Sequence, residues 1–462
     1  MSESDTIAAI ATPVGLGGIG IVRISGEDAL RIAAALFRRK GGARLDDLPG
    51  NTFAYGRIID PTGPGTIDEA IALIWRAPKS YTREDVVELS MHGGPIPLRR
   101  TLRAAITLGA RLAEPGEFTK RAFLNGRIDL AQAEAVSDLI EARTETGGRL
   151  AVKQLEGRLS QTIGAMRASL VLLQATIDAG IDFPEDDVEQ VTREALVGGL
   201  REAKDRVTKL LETAGSGRVY REGVRTALVG RPNVGKSSML NALLGQDRAI
   251  VTDVPGTTRD VIEESVTIQG IPFVLLDTAG IHVPGDVVER IGVDRAQEAL
   301  RSADLTILIL DCRSELNEDD FRVLSISQGK PLIVAVNKVD LGLKLGCFAE
   351  VERHTEGSPV VGVSALTGEG LEALREAMCS LVLRGPGIAA AAAVVTNVRH
   401  ETCLEDADES LQDAIRALEE GVPYDLVSID IRGALDALGL ITGESASEEI
   451  IDAIFSRFCV GK

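Results

Sequence analysis

The sequence predicts a multidomain chain of α/β plus α class, in which a doubly wound α/β unit is inserted into a helical domain. Three observations lead there. From Arg221 onward, the apolar runs VRTALVG, FVLLDTAG, DLTILILD, PLIVAVNKVD and PVVGVSAL alternate with helix-length stretches, the pattern of a parallel sheet covered on both faces. Before them, DLAQAEAVSDLIEARTE and SLVLLQATIDA carry apolar residues at helical spacing. After them, helical pattern returns from about Val394 to the end.

The N-terminal region, residues 1–125, reads as α+β. IGIVRIS, NTFAYGRII, DEAIALIW and DVVELSMHGG are short strand-like runs punctuated by Gly and Pro. A helix is expected from Pro97 to Ala110, with Arg99, Arg100 and Arg103 on its surface. Residues 126–220 form a first helical segment. Pro184 breaks it inside DFPEDDVE, because proline cannot continue a helix, and a further amphipathic helix spans Thr192 to Thr213. Residues 221–382 make the α/β unit. A Gly/Ala-rich link, RGPGIAAAAA, opens the second helical segment, residues 383–462. Each helical segment is short for a stable bundle, so the two are expected to pack together. No internal repeat is present.

Bulk composition narrows the function classes. The 462 residues carry a net charge of −19, so any phosphate backbone must be met by a local basic patch or through a partner. Aromatics are 3%, with Trp75 the single tryptophan, which limits base-stacking platforms. Cys312, Cys347, Cys379, Cys403 and Cys459 are scattered without a CxxC pair or zinc spacing, and the first four read as reduced thiols. No run of about 18 apolar residues predicts a membrane span. The N-terminus lacks the marks of a signal or transit peptide. The expected compartment is the cytoplasm of a bacterium.

The α/β unit carries the chemistry. Gly230 to Ser237 fits GxxxxGK(S/T) between an expected strand and an expected helix. In that context Asn233, Val234, Gly235, Lys236, Ser237 and Ser238 cradle phosphates with backbone N–H groups, Lys236 reaches the β- and γ-phosphates, and the Ser237 hydroxyl ligates Mg²⁺. Asp277, Thr278, Ala279 and Gly280 end another strand, where Asp277 can hold the Mg²⁺ shell and the Gly280 amide can sense the γ-phosphate. Between them lie Thr252, Asp253, Val254, Pro255, Gly256, Thr257 and Thr258, a segment able to close on Mg²⁺ when the triphosphate is bound. Asn337, Lys338 and Asp340 belong to an NKxD string, whose Asp can accept both N–H donors of guanine. Ser364, Ala365 and Leu366 can offer a backbone amide to the guanine oxygen. Five elements in this order make a Ras-like P-loop G domain that binds GTP rather than ATP.

The hydrolytic step is less direct. Ras-like domains place a catalytic Gln just after DxxG; here that position is Ile281, followed by His282. Glu289 is the nearest acid that could orient water, against a plain reading as one solvated charge of its helix. Asn233 and the backbone around Thr252 to Thr257 could instead hold a monovalent cation where an arginine finger would sit. The C-terminal FCVGK is the oddest string outside the G domain: a frayed end, a poorly fitting lipidation signal, or an exposed reactive thiol at Cys459. Arg23 and Glu88 lie on alternating strands, where a solvated charged face is the default.

The whole chain resembles the tRNA-modification GTPase family MnmE, also called TrmE. The resemblance rests on DTIAAIATPVGLGGIGIVRISG, EPGEFTKRAFLNGRIDLAQAEAVSDLI, GRPNVGKSSMLNALL with TDVPGTTRD, DTAGIHVPGDVVERIGVDRA, and ITGESASEEIIDAIFSRFCVGK. It implies an N-terminal folate-binding and dimerisation domain, a discontinuous helical domain and an inserted G domain. It further implies a homodimer whose G domains hydrolyse GTP in a K⁺-dependent way. With a FAD-containing MnmG-type partner, in a heterotetramer or larger complex, such a protein adds an aminomethyl or carboxymethylaminomethyl group to C5 of the wobble uridine of certain tRNAs. The carbon comes from 5-formyl- or 5,10-methylene-tetrahydrofolate; the FAD sits on the partner. By matching motifs, Arg23, Glu88, Arg127 and Lys462 would contact folate, and Asn233, Thr252, Val254 and Thr257 would surround K⁺. Ser237 and Thr258 would hold Mg²⁺, Glu289 would orient the water, and Cys459 would be needed for modification. Departures are small: Val460 for Ile, Arg127 for Lys, His282 for Arg. The competing expectation is a GTP-switched ribosome-assembly factor with no one-carbon chemistry. Such a factor would carry a basic RNA-binding module, whereas ETCLEDADESLQDAIRALEEG is acidic.

Overall fold

The computed structural model describes residues 5–182, 192–245, 263–277, 300–318, 330–342, 347–383 and 393–462, apart from positions 14, 43, 62, 64 and 356, together with residues 320, 321 and 324. The chain forms two compact units: Met1–Ser137 with Gly439–Lys462, and Asp138–Leu438.

The first unit is built on β1 (Ile7–Ile10), β2 (Gly17–Ser25), β3 (Phe37–Arg39), β4 (Thr52–Ile59), β5 (Thr66–Trp75), β6 (Val86–Gly93) and β7 (Arg111–Leu112). They form one sheet in the order β3-β4-β5-β6-β2-β1-β7. All pairings are antiparallel except β1 with β7. Helices α1 (Ala29–Leu36) and α2 (Pro95–Thr107) bury their apolar sides with one sheet face, around Val22, Ile24, Ile32, Ile58, Ile74 and Leu89. Strand alternation sets that face: in β4, Ala54, Gly56 and Ile58 point inward while Phe53 and Tyr55 are exposed. Helix α2 starts two residues before the expected Pro97. Gly94 caps it and Pro95 takes the first helical position, where its missing N–H costs nothing. It stops before Gly109, whose φ of 112° leaves the helix.

Helix α3 (Glu117–Leu124) is fixed by a charged cluster. Arg121 donates to Asp5 Oδ1 at 2.5 Å, Glu84 Oε1 at 3.0 Å and Glu117 Oε1 at 3.0 Å; Arg111 donates to Asp5 Oδ2 at 2.7 Å and Glu117 Oε1 at 2.6 Å. Burial opposes ionisation of Glu117, but the Arg111 and Arg121 bonds outweigh it and hold its carboxyl below the usual range. The last residues of the chain belong to this unit. Helix α13 (Glu448–Phe455) packs Ile451, Phe455 and the following Phe458 against Phe123 of α3 and Leu130 and Ala133 of α4 (Leu130–Glu141).

The second unit contains α5 (Glu145–Leu155), α6 (Arg158–Asp182), α7 (Arg193–Glu222) and α11 (Val398–Glu419), with most of α12 (Tyr424–Thr442). Both helical segments pack together: Lys204 pairs with Asp408 at 2.9 Å, Gln174 donates to Ser428 Oγ at 2.6 Å, and Val395 N donates to Thr213 Oγ1 at 3.0 Å. Helix α7 runs nine residues past the expected Thr213 to Glu222. Gly217 lets the backbone at Val395 approach the helix closely, because a Cβ there would lie 1.9 Å from Val395 O. Only Gly223, at φ 82°, separates α7 from the next strand.

That strand opens the inserted sheet: β8 (Val224–Val229), β9 (Glu263–Ile268), β10 (Ile271–Asp277), β11 (Leu305–Asp311), β12 (Leu332–Asn337) and β13 (Val360–Gly362), ordered β13-β12-β11-β8-β10-β9. All pairs are parallel except β9 with β10. Helices α8 (Lys236–Leu244) and α10 (Leu371–Val382) lie with one face, around Leu228, Met239, Ile307 and Leu374; Leu300, Leu308, Val334 and Val351 of α9 (Cys347–His354) close the other. Every residue of β11 is buried, as a doubly covered parallel strand requires.

Candidate functional site

In such a sheet ligands gather at the carboxyl ends of the strands, and the motif residues converge there. Gly230 leaves β8 at φ 150°, and Gly235 caps α8 at φ 102°. Both positions demand glycine, since a Cβ on Gly230 would stand 2.4 Å from Ile309 O and one on Gly235 2.4 Å from Asn337 Nδ2. Lys236 Nζ donates back to Gly230 O at 2.7 Å and Arg231 O at 2.9 Å, curling the loop around the ammonium. Ser237 and Ser238 are exposed on the first turn of α8, where the helix N-terminus favours an anion.

Asn337 joins the two halves of the site. It is buried, donates from Nδ2 to Val234 O at 2.8 Å, and accepts at Oδ1 from the Ala365 amide at 3.0 Å. Its role is therefore to brace the loops rather than to touch the base. The Ala365 amide is engaged by that bond. Ser364 is fully buried and accepts at Oγ from the Thr367 amide at 3.1 Å, while Leu366 is exposed. Asp340 stands exposed in the 3₁₀ turn Val339–Leu341.

Asp311, in sequence no more than the end of an apolar run, proves to be a member of the site. It is buried at the end of β11, directly opposite Asn337, and accepts from Lys338 Nζ at 2.8 Å. Burial alone would raise its pKa, but the hydrogen bonds from Arg313 and Lys338 win and hold it at about 2. The signal available in sequence is positional: like Asp277 and Asn337, Asp311 is the polar residue closing an apolar run.

The expectations for Thr252, Asp253, Val254, Pro255, Gly256, Thr257, Thr258, Thr278, Ala279, Gly280 and Glu289, and for the Asp277 side chain, lie outside the described residues.

In the N-terminal unit, a second group of candidates meets. Arg23 on β2 faces Glu88 on β6 in register, and Nε donates to Glu88 Oε1 at 2.7 Å. Its Nη1 donates to Gly461 O at 3.2 Å, and its guanidinium lies 5.6 Å from the Tyr81 ring centroid and 5.4 Å from that of Phe118. Arg127 covers Tyr81 at 4.6 Å. The tail is held by backbone bonds, Gly116 N to Cys459 O at 3.3 Å and Phe118 N to Lys462 O at 3.2 Å. Gly461, at φ 95°, admits the backbone of Ile10. Cys459 remains exposed. Sequence reasoning misses Tyr81 and Phe118, the rings around which these charges gather.

Comparison with known proteins agrees with this layout. The family model described as GTP-binding protein TrmE N-terminus matches residues 6–127, and that of the MnmE helical domain matches residues 130–459. The tRNA modification GTPase MnmE of Geobacillus kaustophilus is 49% identical over the full length of both chains, and that of Alkaliphilus oremlandii 47%. The chain belongs to the MnmE family of tRNA modification GTPases. Its fold is the expected combination of a TrmE-type N-terminal domain, a helical domain and a G domain. A solved structure of Aquifex aeolicus Era bound to GDP·AlF₄⁻ is 29% identical, covering 40% of this chain and 65% of that one with a TM-score of 0.29. Among the described residues, no helix is long and apolar enough to cross a membrane.

Proposed function

We propose that this member of the family hydrolyses GTP to drive, together with a FAD-containing partner, the addition of an aminomethyl or carboxymethylaminomethyl group to C5 of the wobble uridine of certain tRNAs. The observation that carries the GTPase half is the Asn337 brace, which ties the phosphate loop to the two loops expected to read guanine. The one-carbon half is supported by the meeting of Arg23, Glu88, Arg127 and the chain's tail around Tyr81.

In this reading Lys236 turns from Gly230 and Arg231 onto the β- and γ-phosphates. Ser237, exposed beside it, suits Mg²⁺, with Thr258 as its partner. Asn233 O accepts from Lys338, so its side-chain amide oxygen is what it offers to K⁺, together with Thr252, Val254 and Thr257. Neutral oxygens of this kind suit a monovalent cation. Cations held by these residues would neutralise charge developing on the phosphates, and Glu289 would orient the water. Potassium held there would favour pairing of two G domains, so the working form is a homodimer. Reduced folate would supply the one-carbon unit; Arg23, Glu88, Arg127 and Lys462 would hold it, and Cys459 would serve the modification step.

Two measurements test the reading. Replacing K⁺ by Na⁺ should lower GTP turnover at least about tenfold, as loss of a charge-stabilising group does; equal rates would remove the cation from the mechanism. Nucleoside mass analysis of tRNA from a strain lacking this gene should find the C5 modification missing. Unchanged wobble uridines would leave only the alternative, a ribosome-assembly switch.

A further inference from the structure

We propose that Asp311 is a positioning residue for nucleotide binding, acting through Lys338 on the backbone of the phosphate loop; the proposal rests on the GTPase reading above. Lys338 and Asn233 are both non-glycine residues in the left-handed region, at φ 68° and 66°. Such conformations persist only where surrounding contacts enforce them. One hydrogen bond joins the two: Lys338 Nζ donates to Asn233 O at 2.8 Å. The same ammonium donates to Asp311 Oδ2 at 2.8 Å. Asp311 is therefore the anchor of a three-membered chain, carboxylate to ammonium to loop carbonyl, that spans from the end of β11 to the phosphate loop.

The neighbouring residue reinforces it. Cys312 N donates to Asn337 O at 3.0 Å, and Cys312 Sγ donates to Lys338 O at 3.0 Å. The β11 terminus thus fixes both the backbone of Lys338, through Cys312, and its side chain, through Asp311. A lysine ammonium is a point charge on a flexible four-carbon stem. With Asn in place of Asp311, the ammonium loses its anionic partner and its hold on Asn233 O weakens. Asn233 then relaxes from its left-handed turn, and the loop amides lose their aim at the phosphates. Asp311 is buried and reaches the phosphate loop only through Lys338, so the loss should fall on binding rather than on the chemical step.

The test uses the full-length protein, with GDP binding by calorimetry and steady-state GTP hydrolysis. Asp311→Asn should weaken GDP binding and raise KM for GTP roughly tenfold, with kcat within about threefold. Asp311→Glu, which keeps the charge, should recover most of the affinity. In a Lys338→Met background, Asp311→Asn should add less than about twofold, because coupled partners are not additive. Arg313→Ala, which removes the carboxylate's other, half-exposed partner, should leave GDP affinity unchanged. GDP binding by Asp311→Asn within about twofold of wild type, or full additivity with Lys338→Met, overturns the proposal. Should Asp311→Asn not fold, Lys338→Met alone carries the test, and normal GDP binding by that variant overturns it. Failure of the wild-type protein to bind GDP or GTP would instead reject the GTPase reading itself.

Discussion

Asp340→Asn is expected to turn a protein selective for GTP into one that prefers xanthosine triphosphate. Asp340 sits in the turn that follows Lys338, held by Leu341 N to Lys338 O at 3.0 Å and Gly342 N to Val339 O at 3.1 Å. Its side chain is exposed, and among the described residues its carboxylate accepts no hydrogen bond. The backbone of the turn thus sets where the group stands, and it is left available for a ligand. A carboxylate accepting two N–H donors of guanine makes charge-assisted bonds of about 1.5–3 kcal/mol each. Asparagine keeps one acceptor and introduces a donor against a donor. GTP affinity should fall roughly 10²–10³-fold, which at 1.4 kcal/mol per decade corresponds to about 3–4 kcal/mol. Xanthine carries a carbonyl in place of the exocyclic amine and recovers the pairing. Competition between the two triphosphates measures it. A variant that still prefers GTP by the wild-type margin would show that Asp340 does not read the base.

The features of the molecule legible in the sequence are those coded by local spacing. Gly230 to Ser237 is readable because a tight turn, a close backbone approach and a helix start each constrain one residue type within eight positions. The apolar runs of β8, β11 and β12 are readable because a doubly covered strand has no polar side to show. What stays hidden depends on which residues meet across long separations. Asp5, Glu84, Arg111, Glu117 and Arg121 look like ordinary surface charges until β1 pairs with β7 and α3 is laid beside them. Tyr81 and Phe118 become rings under Arg23 only after β2 and β6 come into register. The sequence pattern also places residues 383–462 in the helical domain as one segment. In the structure Gly439–Lys462 groups with the N-terminal sheet, because its apolar side, Ile451 and Phe455, finds Leu130 and Phe123. Helical periodicity says that an apolar side exists but not what covers it.

Gly235→Ala should abolish useful nucleotide binding while leaving the fold in place. Two penalties fall on the same methyl group. At φ 102° the backbone occupies a region that a Cβ resists, worth about 1–2 kcal/mol. The methyl would also stand 2.4 Å from Asn337 Nδ2, a contact that cannot be borne without moving a side chain that is 2% exposed. Moving Asn337 breaks its bonds to Val234 O and from the Ala365 amide, and leaving such buried groups unsatisfied costs about 1–3 kcal/mol each. The chain can lessen the strain only by letting the phosphate loop and the Ser364–Leu366 loop separate, which disassembles the site at both ends of the nucleotide. GDP affinity should drop by more than about a hundredfold, the equivalent of about 2.8 kcal/mol at 1.4 kcal/mol per decade. Far-ultraviolet circular dichroism should stay unchanged, because the sheet core does not pass through Gly235. Gly215→Ala is the matched control: it lies inside α7 with nothing within 4 Å of a new Cβ, so it should stabilise the helix by about 0.5–1 kcal/mol and leave GDP binding as it was. Equal GDP affinity in the two variants would show that the Asn337 brace does not govern the shape of the phosphate site.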